Sequence, residues 1–158
     1  MTAAPPLSLF LADADDTARL GRWFAGRLRA GDCLLLEGPI GAGKSHFARA
    51  FIQARLGRYE DVPSPTFTLV QSYQADVEIW HADLYRLTHP DEVLELGLEA
   101  AFDTGICLIE WPDRLGRFAP KDAGRLRFAS AGDGRQVEVC LGARADLVDD
   151  LRQEFSHG

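Results

Sequence analysis

Apolar residues recur along this chain with two periods. A period of about two residues indicates strands, and a period of about 3.6 residues indicates helices. Residues 32–37 and 106–109 are continuous apolar runs, which is typical of buried parallel strands. Other runs alternate between apolar and polar positions, with short polar turns between neighbouring pairs. The pattern therefore predicts two hairpins and three further strands, at 7–11, 32–37, 66–73 paired with 77–86, 106–109, and 125–131 paired with 136–141.

The longer period predicts helices over 15–29, 44–56, about 90–96 and about 144–156. Asp16 or Thr17 is expected to cap the first helix, and Gly57 to end the second. Strands that alternate with helices, followed by hairpins, predict one α/β domain over 1–158. We expect a three-layer fold with a mixed, mostly parallel sheet to which antiparallel hairpins are added.

Composition narrows the class of protein. Apolar residues make up 46% and charged residues 26% of 158 residues, as in ordinary globular domains. No run is long enough to cross a membrane, and the N-terminus lacks the basic start of a signal peptide, so a cytoplasmic location is expected. The three cysteines lie in apolar runs and match no zinc spacing. A net charge of −7 argues against a chain that grips nucleic acid by its own surface.

The glycine-rich turn GPIGAGKS at 38–45 matches G-x-x-x-x-G-K-[ST] between a strand and a helix, and predicts a P-loop NTPase-like fold. Its glycines let backbone N–H groups surround phosphates at a helix N-terminus. Lys44, one of only two lysines, is expected to reach the phosphates, and Ser45 to bind Mg²⁺. No N-K-x-D motif for guanine is present, so ATP is favoured although DRLG at 113–116 matches D-x-x-G. The expected nucleotide-binding residues of this segment are Gly38, Gly41, Ala42, Gly43, Lys44, Ser45 and His46.

Two carboxylates and a threonine are candidates for the chemistry. Glu110 follows the strand 106–109, where it is placed either to hold Mg²⁺ or to be an exposed acid at the strand end. Asp83 lies on an apolar strand and is explained equally by catalysis or by a salt bridge to Arg86. Thr66 is either a sensor of the γ-phosphate or the start of a strand.

Five segments taken together resemble one family: GPIGAGKS, SPTFTLVQSY, HADLYRL, ELGLE and LIEWPDRL. In this order and spacing they are similar to the bacterial tRNA threonylcarbamoyladenosine biosynthesis ATPases of the TsaE (formerly YjeE) family, over about residues 9–139. The resemblance implies a cytoplasmic P-loop ATPase that acts with two partner proteins, TsaB and TsaD. Those partners transfer the threonylcarbamoyl group to the adenosine next to the anticodon, and ATP hydrolysis supports their turnover.

The resemblance also implies roles for individual residues. Asp83 matches an acid needed for activity, Glu110 an acid linked to Mg²⁺, and Thr66 the switch-like threonine. Thr17 matches a threonine near the adenine, and Arg135 an arginine near the nucleotide. The candidate catalytic residues are Lys44, Thr66, Asp83 and Glu110.

The chain departs from the family pattern at Ser45, which replaces the usual threonine but keeps the hydroxyl, and at Ala82, where an aromatic residue is common. His81 belongs to the motif, but only structural support of its strand is expected of it. Two other functions stay open. In one, ATP binding is a signal for assembly and hydrolysis is incidental. In the other, the chain is a small-molecule kinase with 114–127 as its lid.

Overall fold

The computed structural model describes residues 6–39, 41–57 and 70–155, which form seven strands and five α-helices. The strands are β1 (Leu7–Leu11), β2 (Cys33–Glu37), β3 (Val70–Gln74), β4 (Glu78–Asp83), β5 (Ile106–Glu110), β6 (Gly124–Ala131) and β7 (Gly134–Cys140). The helices are α1 (Ala14–Ala25), α2 (Lys44–Leu56), α3 (Glu92–Leu96), α4 (Leu98–Thr104) and α5 (Val148–Phe155). No helix among these residues has the length and apolar character needed to cross a membrane.

All seven strands belong to one sheet in the order β1-β7-β6-β2-β5-β4-β3. The four central strands β6, β2, β5 and β4 run parallel to one another, while β1, β7 and β3 are joined by antiparallel pairings. Both predicted hairpins are present, as β3–β4 and β6–β7. Each hairpin adds one strand to the parallel centre, so the predicted mixed α/β sheet is confirmed.

Side chains of the central strands alternate between two buried clusters, one on each face of the sheet. Leu34 and Leu36 of β2 belong to the cluster that α1, α2 and α5 cover. Cys33 and Leu35 belong to the other cluster, which α3 and α4 cover. Burial on both faces explains why β2 and β5 are continuous apolar runs rather than alternating ones. The arrangement gives the three layers expected from the sequence.

Several predicted boundaries are wrong in informative ways. Helix α1 is capped by Asp13, whose side chain accepts a hydrogen bond from the backbone N–H of Asp16 (2.9 Å), and not by Asp16 or Thr17. The segment expected to be helical from 144 is a 3-10 helix over Gly142–Leu147, and the α-helix begins only at Val148. Its kink lies at Arg144, whose guanidinium contacts Asp32 (2.6 Å) in another part of the chain. Such tertiary ion pairs leave no trace in helical periodicity.

Helix α2 fits its prediction at both ends, beginning at Lys44 and ending before Gly57. Helix α4 has no counterpart in the predicted pattern, in which the helix near 90–96 stops at Gly97. The carboxyl ends of β2, β4 and β5 lie side by side, since their register pairs Leu36 with Glu110 and Asp83 with Glu110. This edge of the sheet is where α/β folds bind ligands.

Candidate functional site

The turn between β2 and α2 is held by glycines in conformations that other residues avoid. Gly38, Gly41 and Gly43 have φ values of 137°, 83° and 107°. A Cβ atom on Gly38 would lie 2.5 Å from the backbone oxygen of Phe128, so this position also needs the missing side chain for space. Gly43 precedes the first turn of α2 with no side chain capping that helix. The N-terminal N–H groups of α2 are thus left to an anion.

The side chain of Lys44 is buried, with 4% of its surface exposed. Its ammonium donates to the backbone oxygen of Gly38 (2.6 Å) and lies 3.7 Å from the ring centroid of Trp111. Burial lowers the pKa of Lys44, while Glu110, Asp83 and Asp113 oppose that shift. Among the described residues, no carboxylate oxygen lies within 4.0 Å of this ammonium. Lys44 is therefore a poorly solvated cation that has no carboxylate counter-charge in the described part of the chain, which suits it to phosphate.

The side chain of Glu110 contacts both the P-loop helix α2 and strand β4. Its carboxylate accepts hydrogen bonds from the hydroxyl of Ser45 (3.0 and 3.2 Å) and lies 2.7 Å from Nε2 of His81. With 2% of its surface exposed, Glu110 is not the exposed acid at a strand end that the sequence left open. The expectation that Ser45 and Glu110 share one site is supported by these distances.

Asp83 faces the same space from the end of β4. Its register partner in β5 is Glu110, and its Oδ1 accepts a hydrogen bond from the backbone N–H of Tyr85 (3.1 Å). Burial raises the pKa of Asp83, and Glu110 adds to that shift, while the Tyr85 N–H, His81 and Lys44 oppose it. A carboxylate with a raised pKa beside the P-loop is suited to accept a proton.

A cavity of about 370 Å³ collects these groups. It is lined by Gly41, Gly43, Lys44, Ser45, His46, Asp83, Glu110 and Trp111. All the expected phosphate and metal residues that the structure describes here therefore lie in or directly beside one cavity. Gly38 and Ala42 complete the turn behind it, and Ala42 is buried, with its N–H donating to the oxygen of Pro39 (3.2 Å).

The oxygen atoms of Ser45 and Glu110 fit a magnesium ion. Neighbouring ligands of an octahedral Mg²⁺ lie about 2.9 Å apart, since each bond is about 2.0–2.1 Å long, and the two side chains approach to 3.0 Å. No group of three or more His, Cys, Asp and Glu side chains suited to a metal occurs in 6–39, 41–57 or 70–155. A site with few protein ligands suits Mg²⁺, which usually keeps waters and phosphate oxygens in its shell.

A second cavity of about 250 Å³ adjoins the first through Gly41, Gly43 and His46. Thr17 lies on its wall with its hydroxyl 3.5 Å from the backbone oxygen of Asp13. Arg135 reaches across from β7 and donates to the backbone oxygen of Gly41 (3.0 Å). The structure thus brings Thr17, His46 and Arg135 to one side of the P-loop, where the resemblance places the nucleoside.

One predicted site residue lies outside the described part of the chain, and two contacts in the site were not predicted from the sequence. Thr66 falls outside the described residues, and its role stays a prediction. His81 contacts Glu110 directly (2.7 Å), and no sequence pattern indicated that contact. Trp111 is the only non-glycine residue with a positive φ (59°) in the described part of the chain. That conformation lays its ring over Lys44, and no local pattern signals it.

A comparison with protein families agrees with the motifs. Residues 11–137 match the model of the family described as threonylcarbamoyl adenosine biosynthesis protein TsaE. Proteins named tRNA threonylcarbamoyladenosine biosynthesis protein TsaE are similar to the chain in many bacteria. The Nostoc protein is 40% identical over 146 residues (88% of each chain), and the Bacillus subtilis protein is 33% identical over 144 residues (90% and 89%).

The chain matches less than two thirds of the length of some relatives. The Rickettsia felis protein of the same name is 41% identical over 106 residues, which are 66% of this chain and 62% of that protein. Among solved structures, a crystal structure of Bacillus subtilis YdiB superposes with a TM-score of 0.77 and 23% identity. That match covers 99% of this chain and 100% of YdiB, and it shows a common fold.

Proposed function

This chain belongs to the TsaE family of threonylcarbamoyl adenosine biosynthesis proteins, and from that membership and its P-loop geometry we propose that it is a Mg²⁺-dependent ATPase. Its activity would support threonylcarbamoyladenosine modification of tRNA. The observation that carries the proposal is the contact of Ser45 with Glu110 (3.0 Å) beneath a P-loop whose lysine has no carboxylate partner among the described residues. This combination suits a metal-bound triphosphate better than a simple anion.

Each residue of the P-loop has a task that its surroundings support. Lys44 leaves the carbonyl of Gly38 and neutralises phosphate charge, while the open N–H groups at the start of α2 hold the same anion. Ser45 and Glu110 are the residues that would hold Mg²⁺. When bound, that ion offsets the negative charge of the phosphates during hydrolysis.

Asp83 is the candidate for the group that handles the attacking water. It lines the cavity with Lys44 and Glu110 but takes no part in the contact between Ser45 and Glu110. Its raised pKa, caused first by burial, makes it a better proton acceptor than an ordinary aspartate. Asp83 therefore orients the water and accepts its proton, while Glu110 stays with Ser45.

The cellular setting of the proposal follows from the family and from charge. We propose that the chain acts in the cytoplasm with TsaB and TsaD, which carry out the transfer, and that no membrane is involved. A net charge of −7 favours contact with tRNA through these partners rather than through this chain alone. ATP and Mg²⁺ are its ligands.

The structure bears differently on the two alternative functions, a small-molecule kinase and an ATP-dependent assembly module. The segment 114–127 is a poor kinase lid because its last residues belong to the central strand β6, where Leu126 is fully buried. An assembly module that binds ATP without needing hydrolysis uses the same site. It differs only in predicting that loss of chemistry leaves function intact.

ATP hydrolysis by the purified chain tests the proposal, measured alone and with TsaB, TsaD, tRNA and Mg²⁺. Lys44→Ala is the blank. We expect slow hydrolysis alone, because partners often complete such sites, and faster hydrolysis in the complex. If the partners change neither hydrolysis nor nucleotide binding, the proposed role is wrong. Phosphoryl transfer to small acceptors is then the activity to test.

A further inference from the structure

His81 is a buried polar residue whose side chain has one polar contact within the described residues. It lies on β4 with 1% of its surface exposed, on the same face of the strand as Ile79. Its Nε2 is 2.7 Å from Oε2 of Glu110, and its Nδ1 has no hydrogen-bond partner in the described part of the chain. Histidines that only fill space in a core usually have both ring nitrogens satisfied, since burying an unpaired polar atom costs free energy.

The unpaired Nδ1 indicates which ring nitrogen donates to Glu110. With the proton on Nε2, the ring donates to the carboxylate, and Nδ1 is left as a bare acceptor. With the proton on Nδ1, a buried N–H would be unpaired and the Nε2 lone pair would face a carboxylate oxygen at 2.7 Å. The geometry therefore selects the tautomer in which His81 is a donor to Glu110.

The contact with His81 restrains the carboxylate of Glu110, to which Ser45 is the only other side-chain donor among the described residues. Only two side chains among the described residues bond to this carboxylate, Ser45 and His81. Lys44 is near enough for Glu110 to affect its pKa, yet no ion pair forms between them. Without the bond from His81, rotation toward the Lys44 ammonium is the obvious way for Glu110 to regain a partner. That rotation would occupy the cation that phosphate needs and remove Glu110 from Ser45.

We propose that His81 is a positioning residue, which donates its Nε2–H to Oε2 of Glu110 and thereby holds the carboxylate beside Ser45 as a ligand for the divalent cation. This inference rests on the proposed Mg²⁺-nucleotide site. It assigns His81 a task in cation binding in place of support for the strand. Bonds from surrounding residues to metal ligands are worth about 10–100-fold in metal affinity where they have been removed.

The test compares two variants that differ in the donor. His81→Leu fills a similar volume without an N–H, whereas His81→Gln places an amide N–H at a reach close to that of Nε2. Ile79→Ala is the control, because it disturbs packing on the same face of β4 at a position whose register partner in β5 is Ile106 and not Glu110. For each variant, the affinity for Mn²⁺ in the presence of ADP is measured by electron paramagnetic resonance. ADP binding in EDTA and thermal unfolding are measured alongside.

The donor role predicts a specific pattern. His81→Leu binds Mn²⁺ about 10–100-fold more weakly, with ADP binding in EDTA nearly unchanged, while His81→Gln and Ile79→Ala keep the wild-type Mn²⁺ affinity. A folded His81→Leu variant with wild-type Mn²⁺ affinity overturns the inference. If His81→Leu does not fold, His81→Met takes its place as the variant without an N–H donor: weakened Mn²⁺ affinity supports the inference, and wild-type affinity overturns it.

The same experiment separates this inference from the proposed function. If the wild-type chain binds no Mn²⁺ in the presence of ADP, the proposed metal-nucleotide site is wrong and the inference falls with it. If the wild-type chain binds Mn²⁺ and the His81 variants match it, only the role of His81 is wrong.

Discussion

Ser45 Oγ donates to Glu110 Oε1 at 3.0 Å, across 65 residues of sequence. The bond ties the first turn of α2 to the end of β5, two elements that only the parallel pairing of β2 with β5 brings together. It places the hydroxyl of the P-loop and a buried acid in contact with each other, where both can serve a single cation.

Glu110→Gln should separate binding from chemistry. The amide keeps the size of the side chain and can still accept bonds from Ser45 and His81, but the charge that attracts Mg²⁺ is lost. We expect metal-free nucleotide binding to persist and hydrolysis to fall on the order of 100-fold. Glu138→Gln removes the same charge from an exposed position on β7 and is the control. Equal hydrolysis by the two variants would contradict the assignment of Glu110.

Lys44→Ala should abolish tight nucleotide binding, because it removes a buried side-chain cation whose ammonium contacts the backbone of the turn at Gly38. We expect affinity for ATP, measured by calorimetry, to fall at least about 100-fold. Lys121→Ala is matched to it, since Lys121 is the other lysine of the chain and is exposed. Comparable losses in both variants would show that general charge, and not the P-loop contact, holds ATP.

Asp83→Asn should stabilise the protein at neutral pH. Burial raises the pKa of folded Asp83, so the folded protein holds its proton more firmly than the unfolded chain. This carboxyl therefore lowers the free energy of unfolding as pH rises from the unfolded pKa, about 3.9, through the folded pKa. An asparagine at this position does not titrate, so it removes this pH-dependent loss in the free energy of unfolding. Its side-chain oxygen still accepts the hydrogen bond from the N–H of Tyr85.

Urea unfolding of wild type and Asp83→Asn at pH 3.5 and pH 7 measures this effect. We expect the variant to gain stability relative to wild type between the two pH values, and to lose ATP hydrolysis. A stability difference that is the same at both pH values would show that Asp83 carries no such penalty. A stable but inactive variant is the usual result where a buried charge serves function.

Gly38→Ala should destabilise the fold far more than a glycine substitution in an open turn. Its Cβ would lie 2.5 Å from the backbone oxygen of Phe128, at a φ of 137°. We expect a loss of more than about 2 kcal/mol in the free energy of unfolding. Gly132→Ala, whose Cβ would meet nothing within 4 Å at a φ of 61°, should lose only about 1 kcal/mol. Similar losses in the two variants would mean that β6 yields to the new methyl group.

Local patterns predicted the P-loop, α2 and both hairpins, because each is set by neighbouring residues. The run of three leucines before GPIGAGKS and the helical spacing after it are sufficient for β2 and α2. Turn residues between alternating strands are likewise sufficient for a hairpin. Periodicity does not say where a hairpin docks, and the parallel pairing of β4 with β5 could not be predicted from it.

That pairing explains what sequence reasoning missed in the site. His81 lies opposite Leu108 in the register of β4 and β5, close enough for its ring to reach Glu110. Trp111 covers Lys44 because its backbone adopts a positive φ after β5, which residue preferences disfavour and a tertiary contact favours. Both contacts depend on long-range geometry, so a pattern within one segment does not contain them.

The most direct measurement counts modified tRNA molecules formed per TsaD in a reaction reconstituted with TsaB, ATP, Mg²⁺ and either the wild-type chain or Glu110→Gln. If hydrolysis at the Ser45–Glu110 site supports turnover, wild type gives many modifications per TsaD, and Glu110→Gln gives about one. If Glu110→Gln binds ATP, lacks hydrolysis and still supports as many modifications as wild type, the chain is an assembly module, and the central claim of ATP-driven turnover is wrong.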